Sequence, residues 1–292
     1  MVTAYYELTT LCPCSCSFCH IPSKLRRTSP IVRNFGEIAS DFPRLREIGI
    51  ESIVLSGGEP STRFILPEIA EYARRYFKKV AVISNGINID TLQKTLAYAT
   101  VWLSIDYYGE KQDAHREFKG LWQNYLKLAE HVNVRSTLLH DNVKDLKLLI
   151  EETAKNKRQV TIVPYRGKDK KLAPTKKDMT ALLGFIFTNN YELTAIVDDP
   201  SVRAYIATRI NQPFIGCNAC DGVIRVNVQG QVTPCPFLDT VICDLYDPEI
   251  KGKLAKTKAD LAFMLTGKCL KCINKFSCGG CKASLNYHCI LP

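Results

Sequence analysis

Cys12, Cys16 and Cys19 stand at spacings of three and two residues within "CPCSCSFC", just after a short apolar run near the N-terminus. Three thiolates on one tight loop can hold three irons of a cubane 4Fe–4S cluster and leave the fourth iron without a protein ligand. An iron left open in this way can bind a substrate or cofactor and pass it an electron. The same residues could instead hold zinc, or Cys16 and Cys19 could work as a redox pair. Cys14 falls outside the spacing; it is expected to point away from the other thiols, with packing as its role. A second motif, "LSGGEP" at 55–60, ends another apolar run. There Gly57 and Gly58 let backbone approach a ligand closely, and Glu59 offers a carboxylate to an amine.

Nine of the 13 cysteines lie far away, between 217 and 289, and none lies between the two groups. The N-terminus lacks the basic, apolar, small-residue order of a signal peptide, so a cytoplasmic location is the expectation and thiols there stay reduced. Metal ligation or redox chemistry is then a better account of the cysteines than a disulfide framework. The run Cys269-x2-Cys272-x5-Cys278-x2-Cys281 also has the look of a zinc knuckle.

The elements that must position these groups can be read from the apolar pattern. Strand-like runs occur at 5–8, 52–56, 80–84, 101–105, 132–139 and 159–165, with helix-like stretches such as 66–77 and 143–156 between them. In the last of these Leu146, Leu149, Ile150 and Thr153 share one face at helical spacing. Six strand–helix units with short connections predict an α/β fold with a parallel sheet. Their regular repetition suits a barrel, whose active site lies at the carboxyl ends of the strands. Beyond about residue 200 the texture changes. Ile224, Val226 and Val228 alternate with Arg225 and Asn227, a half-buried strand that turns at Gly230 and returns toward Cys235.

Composition narrows the classes. The chain has 292 residues, 46% hydrophobic and 23% charged, which suits one large domain or a large and a small one. The longest apolar run, "ALLGFIF" at 181–187, is far too short to span a membrane. A net charge of +10 is spread over clusters at 24–27, 166–171 and 251–258. No aromatic-interleaved motif accompanies it, so a solvated surface is the better reading than a nucleic-acid face. Trp102 and Trp122 are expected in the core. His140, Tyr107, Tyr108, Tyr165 and Arg166 follow barrel strands, where packing or solvation is the simpler reading and substrate contact the alternative.

Taken together, a C-x3-C-x2-C after the first strand and GGEP after the second resemble the radical S-adenosylmethionine (radical SAM) family. The resemblance continues in order through "SNG" at 84–86, "SID" at 104–106, Asp113-x2-Arg116 and "RSTLLHDN" at 135–142. It implies a partial (β/α)6 TIM-like barrel over 1–205 and a small cysteine-rich domain over 206–292. Cys12, Cys16 and Cys19 would ligate the cluster, and Phe18 would lie against the adenine. Gly57, Gly58 and Glu59 would hold the methionine amino group, Ser84 and Ser104 would contact the ribose or methionyl part, and Arg116 would meet the methionine carboxylate. An electron donor such as flavodoxin or ferredoxin is implied as a partner.

The C-terminal cysteines are similar to the SPASM extension of that family, which binds two auxiliary 4Fe–4S clusters. By its interleaved pattern Cys217, Cys220, Cys235 and Cys281 would hold the first, and Cys269, Cys272, Cys278 and Cys289 the second, with Cys243 spare. Two spacings depart from the family: only Gly279 and Gly280 separate Cys278 from Cys281, and the gap to Cys289 is short. Relatives that mature sulfatases carry an Asp directly after the hairpin cysteine. Here Pro236 follows Cys235 and Asp239 comes three later, so formylglycine formation is not expected.

The resemblance implies oxidative modification of a ribosomal peptide or protein. Oxidation or rearrangement of a small metabolite, of aminocyclitol or nucleotide type, is the alternative substrate class. A zinc-binding nucleic-acid module is the alternative of another kind. The cluster motif starts at residue 12, leaving no room before it for a leader-recognition domain, so a peptide would need a separate recognition protein or would dock directly on the barrel.

Overall fold

Each of the six apolar runs forms a strand in the computed structural model of the protein, which describes residues 2–209, 212, 216–265, 267–275, 277–283 and 289–290. In chain order the elements begin β1 (Val2–Thr9), α1 (Ser23–Arg27), α2 (Phe35–Glu47), β2 (Ile50–Gly57), α3 (Leu66–Ala73), β3 (Lys79–Ser84), α4 (Ile89–Thr95) and β4 (Thr100–Ser104). They continue α5 (Lys111–Arg116), α6 (Leu121–Leu128), β5 (Asn133–Leu138), α7 (Val143–Lys155), β6 (Val160–Pro164), α8 (Lys176–Thr188), β7 (Ala195–Val197) and α9 (Pro200–Arg209). After these come β8 (Val223–Val226), β9 (Gln231–Thr233), β10 (Cys243–Asp244) and α10 (Ile250–Phe263).

The chain divides into two units by its internal packing. One comprises Met1–Ser104, Glu110–Asn133 and Ala219–Lys258; the other comprises Ile105–Gly109, Val134–Asn218 and Ala259–Pro292. In the first unit β1 through β4 pair in parallel, in sequence order. On its other side β1 pairs in parallel with β8, and β9 and β10 continue antiparallel. In the second unit β5, β6 and β7 are parallel.

Period-2 alternation decides which face of β1 is core. Ala4, Tyr6 and Leu8 are fully buried, and the Tyr6 ring meets Phe42 of α2 edge-on at 5.4 Å. Helix α2 starts on a capping box in which Asn34 accepts from the Glu37 amide and Glu37 accepts from the Asn34 amide. Pro43 inside it cannot donate to the carbonyl of Ala39. Tyr72 of α3 supplies that carbonyl with a hydroxyl donor at 3.4 Å instead. In α7 the expected face is the buried one: Leu146, Leu149, Ile150 and Thr153 are all at 0% exposure.

The hairpin departs from expectation in one respect. β8 does not alternate; all four of its residues are buried. Arg225 is buried because its guanidinium has partners, Glu7 of β1 at 3.8 Å and Asp239 at 2.9 Å, so a polar residue sits where the pattern calls for a wet one. Trp122 is core as expected, whereas Trp102 of β4 is half-buried.

Candidate active site

The loop after β1 carries the N-terminal cysteines, and its path is fixed by donors from outside it. The Thr10 hydroxyl donates to the Leu25 carbonyl at 2.6 Å, and the Cys12 amide donates to the Arg26 carbonyl at 3.1 Å. The buried Arg26 guanidinium reaches back to the carbonyls of Ile21 at 3.0 Å and Cys14 at 2.7 Å. From α5, the Arg116 carbonyl accepts from the Ser15 amide at 3.0 Å. Cys12, Cys14 and Cys16 are buried together with Leu121, and Phe18, Cys19, Ile87 and Phe118 pack around them.

Gly57 and Gly58 explain how β2 can approach this loop. Gly57 has φ +126°, in the region that favours glycine. A Cβ there would run into the Thr9 carbonyl, and one on Gly58 would run into the carbonyls of Thr10 and Leu11. With no Cβ, the Gly58 amide donates to Thr9 at 2.6 Å and the Glu59 amide to Leu11 at 2.8 Å. The glycines make room for the protein's own backbone, and so set where Cys12 begins.

Glu59 is 1% exposed and fully used. Oε1 accepts from the Ser61 amide at 2.8 Å and the Ser84 hydroxyl at 2.7 Å, and Oε2 accepts from the Asn85 amide at 2.6 Å. Burial pushes its carboxyl up, and these hydrogen bonds oppose the shift without cancelling it. Ser84 is thus brought to Glu59 at the ends of β3 and β2. Ser104 lies at the end of β4, half-buried, its carbonyl accepting from Gln112 at 2.9 Å.

Arg116 is not a surface group: it is 8% exposed, with Nη1 3.9 Å from Cys16 Sγ and its guanidinium 5.6 Å over the Phe18 ring. Phe18 is also stacked on His115 at 4.9 Å, so the aromatic face expected for a nucleobase meets an imidazole. Asp113 turns out to cap the next helix, accepting from the amides of Gly120 at 2.5 Å and Trp122 at 2.9 Å. An open cleft of about 440 Å³ lies beside the loop, lined by Thr62, Ile87, Asn88, Ile89, Asp90, Phe118 and Asn124. Ile87 and Phe118 thus face both the cleft and the cysteines.

Two residues of this site escaped the sequence. Cys14 is at 0% exposure inside the thiol group rather than packed elsewhere. Asn85 points its side-chain amide at sulfur, 3.1 Å from Cys14 Sγ and 3.6 Å from Cys12 Sγ. It is the middle residue of the "SNG" already singled out, which was the available signal. Hydrogen bonding from Cys14 holds the Cys12 thiol below its ordinary value, while bonds to Cys12 and Cys16, and burial, push Cys14 up. Burial pushes Cys19 up as well.

Among the described residues, no three His, Cys, Asp or Glu side chains converge in the geometry that clasps a metal ion. The donor chemistry of the loop nevertheless fits an iron–sulfur cluster. Cys12, Cys16 and Cys19 are sulfur donors on a single loop, and the nearby carboxylate, Glu59, is committed to Ser61, Ser84 and Asn85.

Several of the C-terminal cysteines sit on turns. In the first unit Cys220 has φ +61° and its amide donates to the carbonyls of Val223 and Pro234, both at 3.0 Å, which places it beside Cys235. In the second unit burial pushes Cys278 up to about 11, with Cys289, Asp199 and Cys269 adding to the shift. Cys281 is likewise raised by burial, eased by Arg166 and reinforced by Asp199 and Cys217. Cys243 is buried in β10. Of the residues that follow barrel strands, Tyr107 donates to Asp141 at 2.6 Å, Arg166 donates to the Asp198 carbonyl at 2.6 Å, and His140 meets Asp178 at 2.8 Å.

Residues 6–140 match the radical SAM superfamily. That match covers a little under half of the chain, and a 4Fe–4S cluster with S-adenosylmethionine is what the superfamily implies for the matched residues. The chain is also similar to Fe-coproporphyrin III synthase of Methanosarcina barkeri, 27% identical over 158 residues, covering 50% of this chain and 39% of that protein. PqqA peptide cyclase of Streptomyces rochei is 32% identical over 88 residues, covering 28% of this chain and 22% of that protein. The chain therefore spans well under half the length of these two relatives. Similarity to the antilisterial bacteriocin subtilosin biosynthesis protein AlbA of Bacillus subtilis is 23% but covers 95% of this chain and 66% of that protein.

The fold is that of SuiB from Streptococcus suis, seen bound to S-adenosylmethionine, with a TM-score of 0.76 at 15% identity over 97% of this chain and 73% of SuiB. SuiB bound to its precursor peptide SuiA gives a TM-score of 0.74 at 15% identity over 99% and 74%. Among the described residues no helix is long and apolar enough to cross a membrane.

Proposed function

We propose that the protein reductively cleaves S-adenosylmethionine and uses the resulting radical for oxidative modification of a ribosomal peptide or protein. The observation that carries this is the three-thiol loop braced against the "GGEP" turn, with a second group of cysteines between 217 and 289. The peptide class is supported by the relatives: a PqqA peptide cyclase, a subtilosin biosynthesis protein, and SuiB seen with a precursor peptide.

A cluster held at Cys12, Cys16 and Cys19 would supply the electron for reductive cleavage of S-adenosylmethionine to methionine and a deoxyadenosyl radical able to abstract hydrogen from the substrate. The chain's part is to position and enclose. Gly57 and Gly58 hold the loop at the end of β2, and Glu59 ties that end to Ser84 and Asn85 on β3. Arg116, buried beside Cys16, supplies a fixed positive charge for the methionine carboxylate. Phe18, Ile87 and Phe118 provide apolar walls that exclude water from the reacting groups. Residues 206–292 act as a cluster-binding extension, with Cys217, Cys220, Cys235 and Cys281 for one auxiliary cluster and Cys269, Cys272, Cys278 and Cys289 for the other. A peptide is delivered by a separate recognition protein or docks directly, and a flavodoxin or ferredoxin supplies the electron.

The test is anaerobic incubation with S-adenosylmethionine, reductant and candidate peptides, followed by mass spectrometry. Deoxyadenosine formation with a peptide mass loss matching hydrogen removal supports the reading. Turnover of a nucleotide or aminocyclitol with inert peptides moves the assignment to a small metabolite. Zinc in place of iron in the purified protein would remove radical chemistry altogether.

A further inference from the structure

Asn85 is 5% exposed at the end of β3, and its backbone amide and both ends of its side-chain amide have partners. Its backbone amide donates to Glu59 Oε2 at 2.6 Å, which pins the residue to the end of β2. Its side-chain oxygen accepts from the Ile87 amide at 3.2 Å. That contact fixes which way round the side chain lies, because a backbone N–H can only donate. The amide nitrogen is then left facing sulfur, at 3.1 Å from Cys14 Sγ and 3.6 Å from Cys12 Sγ. Cys14 takes the shorter share of a donor that Cys12, a proposed cluster ligand, also reaches.

We propose that Asn85 is a positioning residue that tunes the reduction potential of the cluster at Cys12, Cys16 and Cys19, and that Cys14 limits this tuning by competing for the same N–H. The inference rests on reading those three cysteines as cluster ligands. A hydrogen bond to a ligand sulfur stabilises the more negative, reduced state and raises the potential. Removing the donor should lower the potential; removing the competing sulfur should free the donor for Cys12 and raise it. The two substitutions therefore act in opposite directions, which a general loosening of the loop would not produce.

The experiment is a redox titration of the reconstituted full chain followed by EPR, using the signal that changes on adding S-adenosylmethionine to single out this cluster. For Asn85→Ala we expect the reduced-to-oxidised ratio at fixed potential to fall about tenfold, equivalent to a shift of about 59 mV for one electron. Asn85→Asp, which places a carboxylate at the sulfurs, should fall further, and Cys14→Ala should rise above the unaltered protein. An unchanged potential in Asn85→Ala, or a fall in Cys14→Ala, overturns the inference while leaving the cluster assignment intact. If Asn85→Ala does not load with iron, the direction of the Cys14→Ala shift decides. If the unaltered protein shows no signal responsive to S-adenosylmethionine, the ligand reading itself has failed, and with it the inference.

Discussion

The two cysteine-bearing regions are built in opposite ways. The N-terminal loop is braced from all sides: Thr10 and Arg26 hold its start, Arg116 its middle, Gly58 lies against its base and Asn85 reaches its sulfurs. Cys12, Cys14 and Cys16 are all buried. Cys19 is half-buried, as are Cys217, Cys220, Cys269, Cys272, Cys281 and Cys289 of the C-terminal region, where Cys235, Cys243 and Cys278 are buried. There turns join the strands β8 to β10, and the short helical turn Gly267–Lys271 follows α10. A loop held by protein donors keeps its shape without metal. A chain of turns joined by thiols takes its shape from what the thiols bind. If the C-terminal thiols hold clusters as proposed, that region takes part of its shape from them, whereas the N-terminal loop is held by protein contacts.

Removing the N-terminal ligands should have the largest effect. Reconstituted protein is expected to hold about twelve irons, and combined replacement of Cys12, Cys16 and Cys19 by Ala should remove about four of them. Deoxyadenosine formation should then be abolished, and any remaining production in that variant would refute the mechanism. Chelation sharpens the comparison next. Limited proteolysis of metal-stripped protein should cut within 216–290 far faster than within 10–30, and equal rates would show that the two regions do not differ as described.

A glycine pair probes the same contrast by stability. Gly58→Ala forces a methyl group into the Thr10 and Leu11 carbonyls and should cost about 1–3 kcal/mol in urea unfolding. Gly252→Ala lies in α10 with open space around it and should stabilise by up to about 1 kcal/mol through helix propensity. Loss of stability in both would mean that α10 is also tightly packed there. Cys243→Ala and Cys14→Ser should each keep the full iron complement, as iron analysis would report. A loss of about four irons from Cys243→Ala would make it a ligand.

The smallest effect concerns His140 and Asp178. The hydrogen bond and charge of Asp178 raise His140 above its ordinary value. Burial pushes Asp178 up, but the hydrogen bonds from His140 and Thr175 outweigh it and hold the carboxyl low. The His140 contribution is complete below its unfolded value of 6.5 and is lost as pH rises through the raised value. The Asp178 contribution is present above 3.8 and is lost as pH falls through its lowered value. The contact should therefore be firmest between those two values. His140→Ala should flatten the pH dependence of stability just above that window; an unchanged profile would show that the pair does not hold its loop.

Much of this was legible in the sequence where local pattern suffices. The apolar runs mark β1 to β6 within a few residues, and the face of α7 follows from its spacing. The cysteine triplet and "GGEP" announce a site because both close a strand. What escaped depends on contacts between distant segments. Asn85 meets Cys14 across 71 positions, and no spacing rule carries such a contact. The sequence suggests that Gly57 and Gly58 make way for a ligand, whereas the nearest atoms they accommodate are the protein's own carbonyls. Strand β7 is three residues long, too short for a period to declare itself. The burial of Arg225 needs Glu7 on one side and Asp239 on the other, and only the fold supplies both.

The parallel pairing of β1 with β8 has a consequence for how the chain is made. Thr3 lies opposite Val223 and Tyr6 opposite Val226, so β1 leaves the ribosome about 220 residues before β8, its neighbour on that side. At typical elongation rates that interval is on the order of tens of seconds. During it one edge of β1, with its row of unsatisfied amides and carbonyls, is open to pairing with another nascent chain. Such non-local parallel closure is intrinsically slow. Yield of folded protein should thus respond to translation speed and to chaperones that shield a bare strand, whatever the final stability.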